Sequence, residues 1–231
     1  MSIEEKYGND EMFESWADVN IFFPIATKLV DPLYYINLTP NYITILSTMF
    51  SLQSIFFLNT SNILSFIFYI IGYILDCVDG RMARKYCMCS DVGMALDLVS
   101  DNITNGLLFS YIITNYPYNA KIIGIIIIFI IMTFMLSLSY GINEAVLSYN
   151  KYSNDNFYEY KIIYFKNKNY RNFLEKLLFF VFLMITNASY NTYRLIFPYY
   201  NKNQIIKNLK ILKHFGPGNF NLLVGVMLLC I

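Results

Sequence analysis

The chain has 231 residues, 56% of them hydrophobic and only 14% charged, with a formal net charge of +1 and a mean hydropathy of +0.43. A soluble domain carries about 25% charged residues, so an ordinary water-soluble globule is excluded and an integral membrane protein is expected. Near-neutral charge without a basic stripe gives no reason to expect a nucleic-acid partner.

Residues 1–40 carry Glu4, Glu5, Asp10, Glu11, Glu14 and Asp18, with no basic segment leading into an apolar core, so no cleaved signal peptide is expected. Phe13, Trp16, Val19 and Phe23 recur at helical spacing among polar residues. That pattern fits an N-terminal amphipathic helix, either interfacial in the headgroup plane, where Trp16 would sit well, or packed on the bundle. Pro24, Pro32 and Pro40 are expected to break the chain before the first span starts at Asn41. Residues 1–40 thus read as an interfacial segment and 41–231 as a transmembrane domain.

A hydrocarbon core about 30 Å thick takes roughly 20 apolar residues of helix. Segments near 42–58, 62–78, 92–114, 121–142 and 174–193 meet that measure, and a last one from Phe220 to Ile231 is short or truncated. The expected fold class is all-α, a polytopic bundle of six transmembrane helices. Asn59-Thr60-Ser61 matches the N-glycosylation pattern, but in so short a loop it reads as a chance match.

Arg81, Arg84 and Lys85 follow the second span, and Lys151, Lys161, Lys166, Lys168 and Arg171 follow the fourth, which places both loops and the N-terminus on the cytoplasmic side. Arg194, Lys202, Lys207, Lys210 and Lys213 disagree, because simple crossings put them outside. Either part of that region is re-entrant or one of the last two spans is misplaced. Cys77, Cys87, Cys89 and Cys230 include one C-x-C pair and no second pair at ligand spacing, so they read as packing residues rather than zinc ligands.

The stretch LDCVDGRMARKYCMCSDVGMALDLVSD, Leu75 to Asp101, places charge at a membrane boundary. Asp76 and Asp79 are three apart at the end of the second span, and Asp97 and Asp101 four apart at the start of the third, so each pair shares a helix face. Two antiparallel helices on a short loop can bring these carboxylates to one site. Clustered carboxylates repel one another unless cations compensate, and hard oxygen donors suit Mg²⁺, Mn²⁺ or Ca²⁺. Two divalent ions sharing the carboxylates would balance the charge and could clamp the oxygens of a phosphoryl displacement.

Gly80 and Ala83 leave room for a ligand against the helix backbone, or serve close helix packing, as Gly93 could. Arg84 suits nucleotide phosphate oxygens. Asp91 reads as the N-cap of the third span, and Arg81 and Lys85 as headgroup anchors. For Asp97 and Asp101 a purely structural role is the weaker reading, since carboxylates within a span are rare and functional.

Asp76, Asp79, Gly80, Ala83, Arg84, Gly93, Asp97 and Asp101 fit D-x2-D-G-x2-A-R-x8-G-x3-D-x3-D without a mismatch. With these residues and the TPNYIT stretch, Thr39 to Thr44, the chain resembles the CDP-alcohol phosphotransferase family (class I CDP-alcohol phosphatidyltransferases). The resemblance implies a six-helix membrane enzyme of phospholipid biosynthesis, a homodimer whose site opens to the cytoplasm, in the endoplasmic reticulum if the source is eukaryotic. It implies Mg²⁺ or Mn²⁺, two ions, on Asp76, Asp79, Asp97 and Asp101, with Asp101 also the general base. Gly80, Ala83 and Arg84 would receive the CDP part of the donor, and a lipid or small-alcohol acceptor would displace CMP.

Relatives that use inositol or glycerol 3-phosphate often carry Arg or Lys where this chain has Asn102, and choline or ethanolamine phosphotransferases often show His where it has Leu98. The expected activity is phosphatidyl transfer from CDP-diacylglycerol to a polar alcohol. The alternatives are an amino-alcohol phosphotransferase using CDP-choline or CDP-ethanolamine with diacylglycerol, and, outside the enzymes, a cation transporter whose Asp cluster is an ion pathway.

Overall fold

The computed structural model describes residues 14–152, 165, 167–196 and 202–231, the side chains of 143–152 and 202–206 excepted. Its regular elements are all helical. A π-helical turn, Asp18–Phe22, runs into α1 (Phe23–Tyr35), followed by α2 (Pro40–Phe57), α3 (Asn62–Lys85), α4 (Asp91–Asn115), α5 (Ala120–Tyr152) and α6 (Phe173–Ile196). After the undescribed segment come α7 (Lys202–Leu212), a 3-10 turn at Lys213–Phe215, and α8 (Pro217–Cys230).

Among the described residues, α3, the Ala120–Ile142 part of α5, and α6 are long and apolar enough to cross a membrane. The other expected spans also form helices but miss that measure. Three Asp residues dilute α4, hydroxyl and amide side chains dilute α2, and α8 has only 14 residues.

Of the three prolines only Pro40 marks a break, since residues 36–39 are not helical and α2 begins at it. Pro24 lies in the first turn of α1, where proline is tolerated, Pro32 sits inside that helix at the loss of one backbone bond, and Pro40 opens α2. The π turn adds a residue to its turn and so rotates the buried face. Phe22, Ala26 and Val30 are buried, whereas Trp16 is 59% exposed, so Trp16, Val19 and Phe23 are not the packed stripe. Phe13 lies outside the described residues.

Ala26 and Val30 cluster with Ile43 of α2 and with Val78 and Met82 of α3, so α1 is packed on the bundle. It ends at Asn37 in a left-handed conformation (φ 62°), where the Leu38 amide donates to Leu33 O (3.2 Å) and the Asn37 amide to Tyr34 O (2.9 Å).

α2 packs most extensively on α3 and also packs on α4, while α3 and α4 make closer backbone contact with α2 than with each other. At Gly72 a Cβ would sit 2.5 Å from Ser51 Oγ, so glycine is what lets α2 and α3 approach this closely.

α8 starts against Ser15 and Asp18 of the N-terminal segment and ends with Met227 and Leu228 beside Leu58, Ile112 and Ile122, at the opposite end of the bundle. α6 starts beside the first turns of α4, where Phe179 and Phe182 pack on Ala95 and Val99. α6 packs on α5, where Gly141 meets Ser189 and Tyr193, and α7 packs on α5 as well, with its Asn208 side chain 3.5 Å from the Tyr193 hydroxyl. Lys207 and Lys210 lie on α7 and Lys213 on the 3-10 turn, between α6 and α8.

Candidate active site

α3 stops at Cys87, in a left-handed conformation (φ 54°), where the Met88 amide closes on Ala83 O at 2.8 Å. A short connection leads to Ser90, whose Oγ accepts from the Gly93 amide (3.0 Å) and caps α4. Asp91 is therefore not the N-cap. It is the first helical residue, and its carboxylate pairs with Lys168 Nζ at 2.5 Å, which ties α4 to the segment ahead of α6. Lys161 and Lys166 lie outside the described residues.

Across the resulting gap, ligand oxygens of Asp76, Asp97 and Asp101 all lie within 4.8 Å of one another. Asp76 Oδ1 is buried and has no hydrogen-bond partner among the described residues. An orphaned carboxylate oxygen is costly in a protein interior, and a hard divalent cation is the partner such a donor set fits. Asp79, one turn further along α3 and 4% exposed, stands apart from this trio: its Oδ2 accepts from the Thr44 hydroxyl. The structure thus gathers three of the four motif carboxylates and holds the fourth beside them through α2.

The small residues have definite neighbours. A Cβ on Gly80 would lie 3.2 Å from Arg84 Nη1 and 3.8 Å from its Cζ, so the Arg84 guanidinium folds back over Gly80. Arg84 Nε is buried and without a partner among the described residues, while the residue as a whole is half-buried. Ala83 is half-buried in the same turn. At Gly93 a Cβ would meet Asn41 Oδ1 at 2.9 Å, so α2 begins against α4 there.

The other basic residues differ from the sequence expectation. Arg81 is 8% exposed, with its guanidinium 3.9 Å from the Phe23 ring centroid and Nη1 donating to Thr27 Oγ1 at 3.3 Å. It is packed against α1 and is not a headgroup anchor. Lys85 pairs with Asp31, which also accepts from the Tyr86 hydroxyl (2.8 Å). The Lys85 bond and then the Tyr86 bond hold the Asp31 carboxyl below its ordinary value, and the same contact pushes Tyr86 up to about 12.

A narrow cleft opens beside the carboxylates, bounded by Tyr69, Tyr73, Asp76, Asp101, Asn105 and Asn221. The Tyr69 hydroxyl donates to Asn221 Oδ1 (2.6 Å) and lies 3.1 Å from the Asn105 side chain. Sequence reasoning took Asn41 and Thr44 only as part of the TPNYIT stretch and did not single out Tyr69, Asn105 or Asn221. Part of the signal was present, because Tyr69, Tyr73 and Asp76 share one face of α3, and Asp101 and Asn105 one face of α4. Neither position that bears on the acceptor faces the cleft: Leu98 packs in the α4–α6 cluster, and Asn102 is exposed and bonded to Leu98 O.

A family profile described as CDP-alcohol phosphatidyltransferase matches residues 37–189, and the chain belongs to that family. The match runs from the end of α1 through most of α6 and leaves the Asp18 region, α7 and α8 outside. An uncharacterized protein of Aquifex aeolicus (strain VF5) is 27% identical over 122 residues, which cover 51% of this chain. The matched region spans 62% of that relative's length. Membership supports transferase chemistry on CDP-linked substrates, in a family that generally uses divalent metals.

Proposed function

We propose that this member of the CDP-alcohol phosphatidyltransferase family moves a phosphatidyl group from CDP-diacylglycerol to a polar alcohol, with release of CMP. The observation that carries this reading is the convergence of Asp76, Asp97 and Asp101, with a buried, unpartnered Asp76 oxygen, in the segment matched by the family.

Asp76, Asp79, Asp97 and Asp101 are the residues that would hold Mg²⁺ or Mn²⁺, two ions in this reading. Bound there, the metal supplies positive charge to the phosphate oxygens of the donor. Arg84, folded over Gly80 beside Ala83, receives the CDP phosphates with a planar cation. The cleft beside Asp101 receives the acceptor hydroxyl, with Tyr69, Asn105 and Asn221 offering neutral hydrogen-bonding groups around it.

Asp101 accepts the hydroxyl proton as the alcohol oxygen bonds to the phosphatidyl phosphorus and the bond from phosphorus to the CMP oxygen breaks. A carboxylate alone is a weak base for an alcohol, so positioning and charge complementarity carry much of the barrier reduction. The same reading takes the protein as a six-span homodimer with its site facing the cytoplasm.

The test is a screen of purified protein in detergent or lipid discs with Mg²⁺ or Mn²⁺, CDP-diacylglycerol, and a panel of glycerol 3-phosphate, myo-inositol, serine and ethanolamine, reading CMP. Asp101→Asn is expected to abolish CMP release while the protein stays folded. Wild-type rates in Asp101→Asn would remove it from the role of base. CMP release only with CDP-choline or CDP-ethanolamine and diacylglycerol would replace the donor assignment, and metal flux into liposomes without CMP would replace the enzyme reading by a transporter.

A further inference from the structure

The first turns of α8 are buried, at Gly218, Phe220 and Asn221. Unpartnered N–H groups are expensive at such a buried helix start. α8 has no cap from its own sequence, because Gly216 precedes it and makes no side-chain bond. The partners come from the other end of the chain. The Gly218 amide donates to Asp18 Oδ2 (2.9 Å), the Asn219 amide donates to Ser15 Oγ (3.1 Å), and the Ala17 amide donates back to Asn219 Oδ1 (2.9 Å).

Ser15 Oγ also donates to Asp18 Oδ2 (2.8 Å), and Ser15 and Asp18 are 0% and 1% exposed. A Cβ on Gly218 would fall 2.3 Å from Asp18 Oδ1, so the carboxylate fills the space that this glycine leaves. The bond is thus a tertiary N-cap, supplied to α8 by a side chain from the other end of the chain.

The same carboxylate reaches the site. Asp18 Oδ1 accepts from the Tyr73 hydroxyl (2.7 Å), and Tyr73 lies one turn before Asp76 and borders the cleft. One turn into α8, Asn221 accepts from Tyr69 and forms the far wall of that cleft. Neither Asp18 nor Asn221 falls in the segment matched by the family, so this connection belongs to the rest of the chain.

We infer that Asp18 is a positioning residue: by capping α8 and holding Tyr73, it places Asn221 against Tyr69 and so sets the wall of the cleft that Asp76 and Asp101 line. The inference rests on the cleft being where the acceptor alcohol binds.

Two measurements test it, and one needs no substrate. Hydrogen exchange in lipid discs should show the amides of residues 218–221 exchanging about tenfold faster in Asp18→Ala, as loss of a buried cap implies, with α4 and α6 unchanged. Steady-state CMP release, with the acceptor of the panel above that the wild type uses, should show acceptor KM raised about tenfold and donor KM within about twofold.

Asp18→Asn, which keeps an acceptor oxygen, should recover part of both effects. Gly218→Ala, which displaces the carboxylate without removing it, should reproduce them and serves if Asp18→Ala does not fold. Unchanged exchange at residues 218–221 in both Asp18→Ala and Gly218→Ala overturns the cap. Faster exchange with unchanged kinetic constants, or with both KM values and kcat falling off together, overturns the positioning role. A wild-type protein that releases no CMP overturns the functional reading itself, which the exchange data distinguish because they are read without substrate.

Discussion

The Thr44 hydroxyl donates a hydrogen bond to Asp79 Oδ2, joining the first turns of α2 to the last turns of α3 across 35 residues of sequence. Thr44 is 2% exposed and Asp79 4%, so water cannot replace the bond. Bonds to buried charged groups contribute about 1.5–3 kcal/mol, and leaving one partner unsatisfied costs at least that. Thr44→Val should therefore lower Tm and reduce CMP release by about tenfold or more, while Thr44→Ser, which keeps the hydroxyl, should stay near wild type. Equal behaviour of the Val and Ser variants in thermal unfolding and turnover would show that the bond does not hold Asp79.

Chelation separates the metal reading from the rest. EDTA should abolish CMP release, and Mg²⁺ or Mn²⁺ should restore it, if Asp76, Asp97 and Asp101 hold the ions. Mn²⁺ titration followed by electron paramagnetic resonance, without substrate, should give a Kd raised by more than about tenfold in Asp76→Asn. Unaltered Mn²⁺ affinity in that variant would take Asp76 out of the ligand set.

The Asp31 contact with Lys85 and Tyr86 makes stability depend on pH at both extremes. A carboxyl depressed below its ordinary 3.8 adds stability above that value and loses it as pH falls through the folded pKa. A phenol raised from 10.0 to about 12 keeps its contribution below 10.0 and loses it as pH rises through about 12. The Tm gap between wild type and Asp31→Asn should be level from about pH 4 to pH 10 and close outside that window, and it should shrink in high salt because the pair is solvent-exposed. A gap that ignores pH would mean that the ion pair contributes nothing.

Capping of α4 offers a direct comparison between two adjacent residues. Ser90→Ala removes the oxygen that the Gly93 amide uses and should cost about 1 kcal/mol. Asp91→Ala should act through the lost Lys168 pair and so be sensitive to ionic strength, which the Ser90 variant should not be. Denaturation of both variants at two salt concentrations checks the assignment, and salt-sensitive destabilisation in Ser90→Ala would contradict it.

Much of this protein was legible in its amino-acid order, because the information is local. Helix boundaries follow from apolar runs about as long as a bilayer is thick, and the Asp76–Asp79 and Asp97–Asp101 spacings place each pair on one helix face whatever the surroundings. The eight-residue pattern was legible for the same reason, as it lies on two consecutive helices joined by a short turn.

What only the tertiary structure decided depends on residues far apart in the chain. Asp18 with Gly218, Thr44 with Asp79 and Tyr69 with Asn221 are separated by 200, 35 and 152 positions, and no periodicity encodes such pairs. The burial of Arg81 under Phe23 likewise followed from where α1 docks, which the five-residue π turn had already rotated away from the stripe that the spacing suggests. The direction of α8 shows the limit most plainly: charge counting follows the chain loop by loop, whereas the last helix is oriented by what satisfies its buried first amides, and those partners are Ser15 and Asp18.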